Sequence, residues 1–212
     1  MLRSLIYWLA RKVLGLYFFH VKGLQYEGAE NIPLTGAIII APNHKSNFDP
    51  PVIGVCSPRV IHYMAKEELF KNPIFAAVIR YFGTFPVRRG AIDRSAIRRA
   101  VKELKSGEPL GIFPEGTRIH GERIGKFHDG MASLALMTGT PILPVAVMGT
   151  ETLPKKEGPL TVVFGKPIPV AKGRATDENM KAVNEKVRAE LLRLREEYYA
   201  KVGYEPASGQ KD

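Results

Sequence analysis

Seven short apolar runs, most of them separated by segments of helical periodicity, constrain the fold of this 212-residue sequence more than any other feature. The runs at 18–26, 37–41, 60–65, 84–87, 110–113, 142–148 and 160–164 have the length and composition of strands. Between them the spacing predicts helices over 50–56, 66–81, 94–106 and 129–138, with a last one over 177–201. Strands joined by helices of this size need crossover connections. The expected fold is therefore α/β, a single domain whose largely parallel sheet of about seven strands is covered by helices. The last helix opens on Thr176 as N-cap, and its stripe of Met180, Val183, Val187, Leu191, Leu194 and Tyr198 predicts packing on the domain. No internal repeat or low-complexity linker marks a second domain. The expected organisation is an amphipathic helix over 1–23, the domain over 24–202 and a flexible polar tail over 203–212.

Residues 2–21 are rich in large apolar side chains, yet Arg3, Arg11, Lys12 and His20 argue against a membrane span, and no small-residue cleavage site suggests a signal peptide. At about 100° per residue, Leu2, Leu5, Ile6, Leu9, Val13 and Leu16 form one stripe, with Arg3, Ser4, Arg11 and Gly15 opposite and Trp8 at the flank. Periodicity alone fits two readings equally well. The stripe either packs on the domain or lies on a membrane, with its aromatic and basic flanks at headgroup level.

The formal charge of +10 favours polyanionic partners without choosing among nucleic acid, anionic lipid and phosphorylated substrates. Part of the excess, Arg94, Arg98, Arg99, Lys102 and Lys105, fits the solvated face of one helix. A nucleic-acid reading would need basic residues interleaved with exposed aromatics, a pattern the sequence lacks. The single Cys56 excludes an intramolecular disulfide and any multi-cysteine metal site. His62, His120 and His128 have no ligand-like spacing, so no metal is expected.

Two segments carry the chemistry. Ala41-Pro42-Asn43-His44-Lys45-Ser46-Asn47-Phe48-Asp49-Pro50-Pro51 follows an apolar strand, at the carboxyl edge where ligands gather in open α/β sheets. His44 and Asp49 lie five residues apart, about 140° around a helix, so they meet only if the chain between them turns. Asp49 before Pro50 would equally serve as a helix N-cap, and a carboxylate can do both jobs. Paired with Asp49, His44 would present Nε2 as a general base. The second segment, Gly111-Ile112-Phe113-Pro114-Glu115-Gly116-Thr117-Arg118, also leaves a strand for a loop. It reads as a turn with a salt bridge, or better as a ligand loop in which Gly116 allows close approach and Arg118 holds a phosphate.

These blocks, with two more, resemble the glycerolipid acyltransferase family, near its bacterial 1-acylglycerol-3-phosphate acyltransferases. Four blocks fall in order from Asn43 to Val147, about half the chain. His44 to Asp49 matches H-x-x-x-x-D, and Phe113 to Arg118 matches F-P-E-G-T-R without departure. Thr140 to Val147 fits the apolar, proline-containing fourth block. The second block, Gly83-Thr84-Phe85-Pro86-Val87-Arg88-Arg89, is looser than G-x-x-F-x-x-R, and Arg88 stays as a substitute for Arg89.

The resemblance implies that His44, oriented by Asp49, deprotonates an acceptor hydroxyl that attacks an acyl thioester. Arg89 or Arg88, Glu115, Gly116, Thr117 and Arg118 would then bind the phosphorylated acceptor. Acyl-CoA or acyl carrier protein would be the donor substrate, with no cofactor. A lipid acceptor moves the N-terminal stripe toward the membrane reading, as a peripheral, monotopic protein on the cytoplasmic face with anionic lipid as partner. Rival readings are acylation of glycerol-3-phosphate or another lysolipid, and a thioesterase using the same pair on water.

Overall fold

The computed structural model describes residues 2–88, 93–121, 123–155 and 159–205, with side chains from Tyr7 onward. At the centre of its sheet lies β2 (Ile38–Pro42), flanked by β5 (Pro109–Gly111) and β6 (Ile142–Met148). With β1 (Gln25–Glu27), β3 (His62–Lys66), β4 (Phe85–Val87) and β7 (Thr161–Phe164), the order is β1-β7-β6-β2-β5-β3-β4. Only β6 and β7 run antiparallel.

The side chains of β2 alternate between two cores. Ile39 and Ala41 join α4 (Arg94–Lys105), α5 (Gly130–Thr138) and α6 (Asp177–Val202). Ile38 and Ile40 join α2 (Asp49–Cys56) and α1 (Leu2–Leu16) on the other face. A strand covered on both faces has no polar side, which explains its unbroken Ile-Ile-Ile-Ala run. Burying each such isoleucine stabilises the fold by about 1.5–3 kcal/mol. The expected stripe of α6 is the packed one, with Val187, Leu191, Leu194 and Tyr198 buried.

Three elements depart from expectation. The run at 18–26 is mostly helical: a π-turn carries α1 on through Val21, with the Lys22 amide donating to Tyr17 O at 3.1 Å. Phe18 lies one turn beyond Leu14 on the packed side of α1, so continuing the helix buries it, and only Gln25–Glu27 reaches β7. The helix expected over 66–81 is a 3-10 turn, Glu67–Phe70, followed by α3 (Pro73–Tyr81). Pro73 cannot donate to a continuing helix, and Asn72 caps the new one by accepting from the Ile74 and Phe75 amides at 3.0 Å. At the carboxyl terminus Tyr204, expected to fray, packs on Tyr199 with ring centroids 4.8 Å apart. Residues 206–212 of the expected tail lie outside the described residues.

Helix α1 is bound to the domain by the face opposite its apolar stripe. Leu14 and Phe18 enter the core, Tyr7 meets Phe82 at 5.6 Å, and the Arg11 guanidinium donates to Val55 O at 3.0 Å and Gly54 O at 3.4 Å. Those carbonyls end α2, where a cation is favoured by the helix dipole. The described part of the stripe faces outward, with Leu9, Val13 and Leu16 exposed by 60%, 59% and 60%. Among the described residues no helix is long and apolar enough to cross a membrane.

From β2 the chain enters α2 on one face of the sheet, and from neighbouring β5 it proceeds to α5 on the other. Adjacent strands whose connections diverge open a crevice at their carboxyl ends, the usual ligand position in such sheets.

Candidate active site

The two chemistry-bearing segments meet in this crevice. After β2, the Asn43 side chain pairs with the backbone of Val147 in β6, donating to its carbonyl at 2.9 Å and accepting from its amide at 2.7 Å. With the loop so fixed at its start, the next five residues turn back. The Asp49 Oδ2 atom accepts from the Lys45 amide at 2.7 Å and the Ser46 amide at 2.8 Å, and His44 Nδ1 stands 2.7 Å from the same oxygen. Thr150, just beyond β6, donates its hydroxyl to Oδ1. Asp49 has no exposed surface.

Since two amides already donate to Oδ2, the imidazole also meets it as a donor, Nδ1–H···Oδ2, which leaves the lone pair on Nε2. The His44 side chain keeps 15% of its surface, and Nε2 has no hydrogen bond to a described residue. Phe113 stacks on the ring at 4.1 Å and 28°, and Tyr63 stacks behind Phe113 at 5.9 Å. The Tyr63 ring lies over Gly111, where a Cβ would approach it to 2.3 Å, so β5 needs glycine there. Burial raises the Tyr63 phenol well above its ordinary range.

Asp49 is the first residue of α2 and not its cap. Phe48 occupies the N-cap without a side-chain bond, so the capping alternative for the carboxylate is not realised. The Lys45 ammonium bonds the Gly121 and Arg123 carbonyls at 2.5 and 2.6 Å, and Ser46 Oγ accepts from the Phe48 amide at 3.3 Å.

Glu115 is 1% exposed, and it serves the loops themselves. Oε2 accepts from the His44 amide and Oε1 from the Gly125 amide, each at 2.6 Å. Burial raises its carboxyl above the ordinary value, opposed by those two amides and by the charges of Lys45 and His44. The Ile119 amide completes the tie by donating to His44 O at 2.9 Å. Gly116 takes a left-handed φ of +65°, and a Cβ there would come within 2.8 Å of the His128 ring. Thr117 and Arg118 are exposed on the same loop.

Arg88 is placed elsewhere. It follows the edge strand β4, three strands from β2 and hence about 14 Å away, with its guanidinium 3.3 Å from Glu67. Arg89 lies outside the described residues. The structure thus brings His44, Asp49 and Glu115 together, with Gly116, Thr117 and Arg118 on the adjoining loop. Sequence reasoning missed Asn43, Phe113, Gly125 and Thr150 as members of the site. For Thr150 a signal was present, a Gly-Thr step just past the carboxyl end of a strand parallel to β2. Gly149 has φ +81°, and a Cβ there would lie 2.0 Å from Pro159 O.

Residues 23–148 match the family model described as Acyltransferase. The chain belongs to the acyltransferase family. It is 34% identical over 149 residues to the 1-acyl-sn-glycerol-3-phosphate acyltransferase of Bacillus subtilis, covering 69% of this chain and 74% of that one. The enzyme of the same name from Streptococcus pneumoniae is 31% identical over 201 residues, 91% of this chain and 74% of the relative. Among solved structures, the LPA acyltransferase PlsC of Thermotoga maritima superposes with a TM-score of 0.72 at 30% identity, covering 91% of this acyltransferase and 81% of that chain.

Proposed function

We propose that this acyltransferase moves a fatty acyl group from a thioester to the sn-2 hydroxyl of 1-acyl-sn-glycerol-3-phosphate, forming phosphatidate at a membrane surface. The observation that carries the reading is the His44–Asp49 pair, held from both sides so that one imidazole nitrogen faces the crevice bare. Nε2 takes the hydroxyl proton as the oxygen attacks the thioester carbonyl, and the tetrahedral centre collapses by breaking its C–S bond. The departing thiolate recovers the proton from the imidazolium. The hydroxyl is itself the nucleophile and the thioester is already activated, so acyl-CoA or acyl carrier protein suffices as donor without a cofactor. Arg118, exposed beside the crevice, binds the acceptor phosphate as a fork of donors, assisted by Thr117.

Support for the membrane comes from α1. Its stripe is turned away from the domain, which removes packing as the reason for its apolar character and leaves a bilayer as the partner. Lying on the cytoplasmic leaflet, Leu9, Val13 and Leu16 enter the acyl boundary beside Trp8, while Leu2, Leu5 and Ile6 of the expected stripe lie outside the described side chains. The excess positive charge suits an anionic leaflet, and the lack of basic residues interleaved with aromatics argues against nucleic acid.

The test is an assay of the purified protein on liposomes with lysophosphatidate, glycerol-3-phosphate and neutral lysolipids, using acyl-CoA and acyl carrier protein thioesters. The expected result is transfer to lysophosphatidate that falls by about 10²–10⁴-fold in His44→Ala. Unchanged turnover in that variant would overturn the mechanism, and thioester loss independent of acceptor would make the protein a hydrolase.

A further inference from the structure

A second concave site lies at the opposite, amino end of the strands. A cleft of about 820 Å³ opens where β3 and β4 begin, between α1, the end of α3 and the side of α4. Two of its three charged lining residues are basic. Arg80 and Arg99 reach it from α3 and α4, and His62 lines it from the first position of β3. Arg99 pairs with Glu103, while Arg80 lies over the Phe70 ring at 5.0 Å and makes no ion pair with any described residue. Glu108 is the acidic group on the rim, and it faces Arg59 at 3.9 Å.

The His62 Nδ1 atom is buried with no hydrogen-bond partner among the described residues, shut against Gly83, whose φ is +84°. A bare lone pair is a less costly orphan than a buried N–H, so the proton belongs on Nε2 as a donor. Tyr7, Trp8 and Tyr81 add aromatic rings to the same cleft. Arginines and an imidazole among aromatics suit a phosphate attached to an amphipathic body.

The surroundings of the cleft say what that body is. Right-handed crossovers in the same direction place α3 on the sheet face that carries α2 and α1. On α3, Ile74, Phe75 and Val78 are exposed, Ile74 by 78%, and Leu69 is exposed on the turn before it. One wall of the cleft therefore belongs to a helix with the apolar stripe Leu9, Val13 and Leu16, and another to a helix with apolar side chains turned outward.

We propose that this cleft holds the phosphate of an anionic phospholipid whose acyl chains lie along the outer faces of α1 and α3. It is distinct from the acceptor site, which opens at the carboxyl ends of β2 and β5. The inference rests on the membrane reading of α1 and adds a headgroup site and a second apolar contact to it.

Trp8, the single tryptophan of the chain, reports directly on the cleft. Its fluorescence is titrated with monodisperse dihexanoyl phosphatidylglycerol, with dihexanoyl phosphatidylcholine and with inorganic phosphate. Saturable change is expected with phosphatidylglycerol alone, at least fivefold weaker in Arg80→Gln/Arg99→Gln. It should stay within twofold of the original protein in Arg94→Gln/Arg98→Gln, which removes the same charge from the exposed side of α4. Equal loss in both double variants would reduce the effect to general charge. Saturation by inorganic phosphate at equal affinity would make the site one for free phosphate, and an absence of saturation would abolish it. The reading of α1 is tested apart, by sedimentation of Leu9→Glu/Val13→Glu with zwitterionic vesicles. Wild-type binding there would overturn the docking of α1, while the monodisperse titration, which needs no bilayer, would still decide the cleft.

Discussion

Two loops face the same crevice and are built in opposite ways. From Asn43 to Asp49 the buried polar groups are committed: Asn43 to Val147, Lys45 to two carbonyls, and Asp49 to two amides, a hydroxyl and the imidazole. Beyond Gly116, Thr117 and Arg118 stand in solvent with no hydrogen bond or ion pair to any described residue. On the proposed mechanism, the part that moves a proton is thus set before substrate arrives, which spares reorganisation during the reaction. Thr117 and Arg118, proposed to bind the acceptor, have no such ties, and holding them in place on binding would cost affinity that the charge of Arg118 offsets.

The sharpest way to break this contrast is to disturb the committed loop. In Asp49→Asn the amide group offers hydrogens where two backbone amides and a hydroxyl already donate, and the tautomer of His44 is released. A fall in kcat of about 10³–10⁴-fold is expected, as when the orienting carboxylate of a triad becomes an amide. Near-normal kcat would show that Asp49 serves the loop fold alone.

The opposite signature is expected from Arg118→Ala. The KM for lysophosphatidate should rise by about 10–100-fold, the equivalent of one charge-assisted hydrogen bond, while kcat and melting temperature stay put. A drop in kcat with unchanged KM would move Arg118 into the proton-transfer machinery. Smaller still is Thr150→Val, which removes one donor from Asp49 and should cost about 1 kcal/mol of stability with a several-fold loss of kcat.

The finest test uses pH. Burial raises the Glu115 carboxyl, so its contribution to stability is complete below the unfolded value, about 4.3, and declines as pH rises through the folded one. Glu115→Gln has no such dependence. Chemical unfolding between pH 4 and 7 should therefore show the variant gaining on the original protein as pH rises. The reverse trend would mean that the His44 and Gly125 amides outweigh burial.

The pairing of His44 with Asp49 was legible because a strand, a five-residue gap and a proline at the helix start leave the chain little choice but to turn. The buried faces of α6 and β2 were legible for a similar reason, since their apolar periods have one solution. Glu115 was not, because a buried carboxylate that ties two loops together looks in sequence like an exposed one awaiting a ligand. Its partners, the amides of His44 and Gly125, carry no side-chain signal. The amphipathic α1 was ambiguous for a different reason. Its second face uses Tyr7, Arg11, Leu14 and Phe18, only partly apolar, and contact with α2 was needed to reveal that this face is the packed one.

Arg11 grips one end of α2, and Asp49 stands at the other. This helix of eight residues is about 12 Å long and short enough to behave as a rigid strut. On the proposed docking of α1 to lipid, the strut would set a fixed stand-off between the leaflet and the bond being made. Changes that lengthen or tilt α2 would alter the height at which a lysolipid must rise to react, while leaving each catalytic group intact.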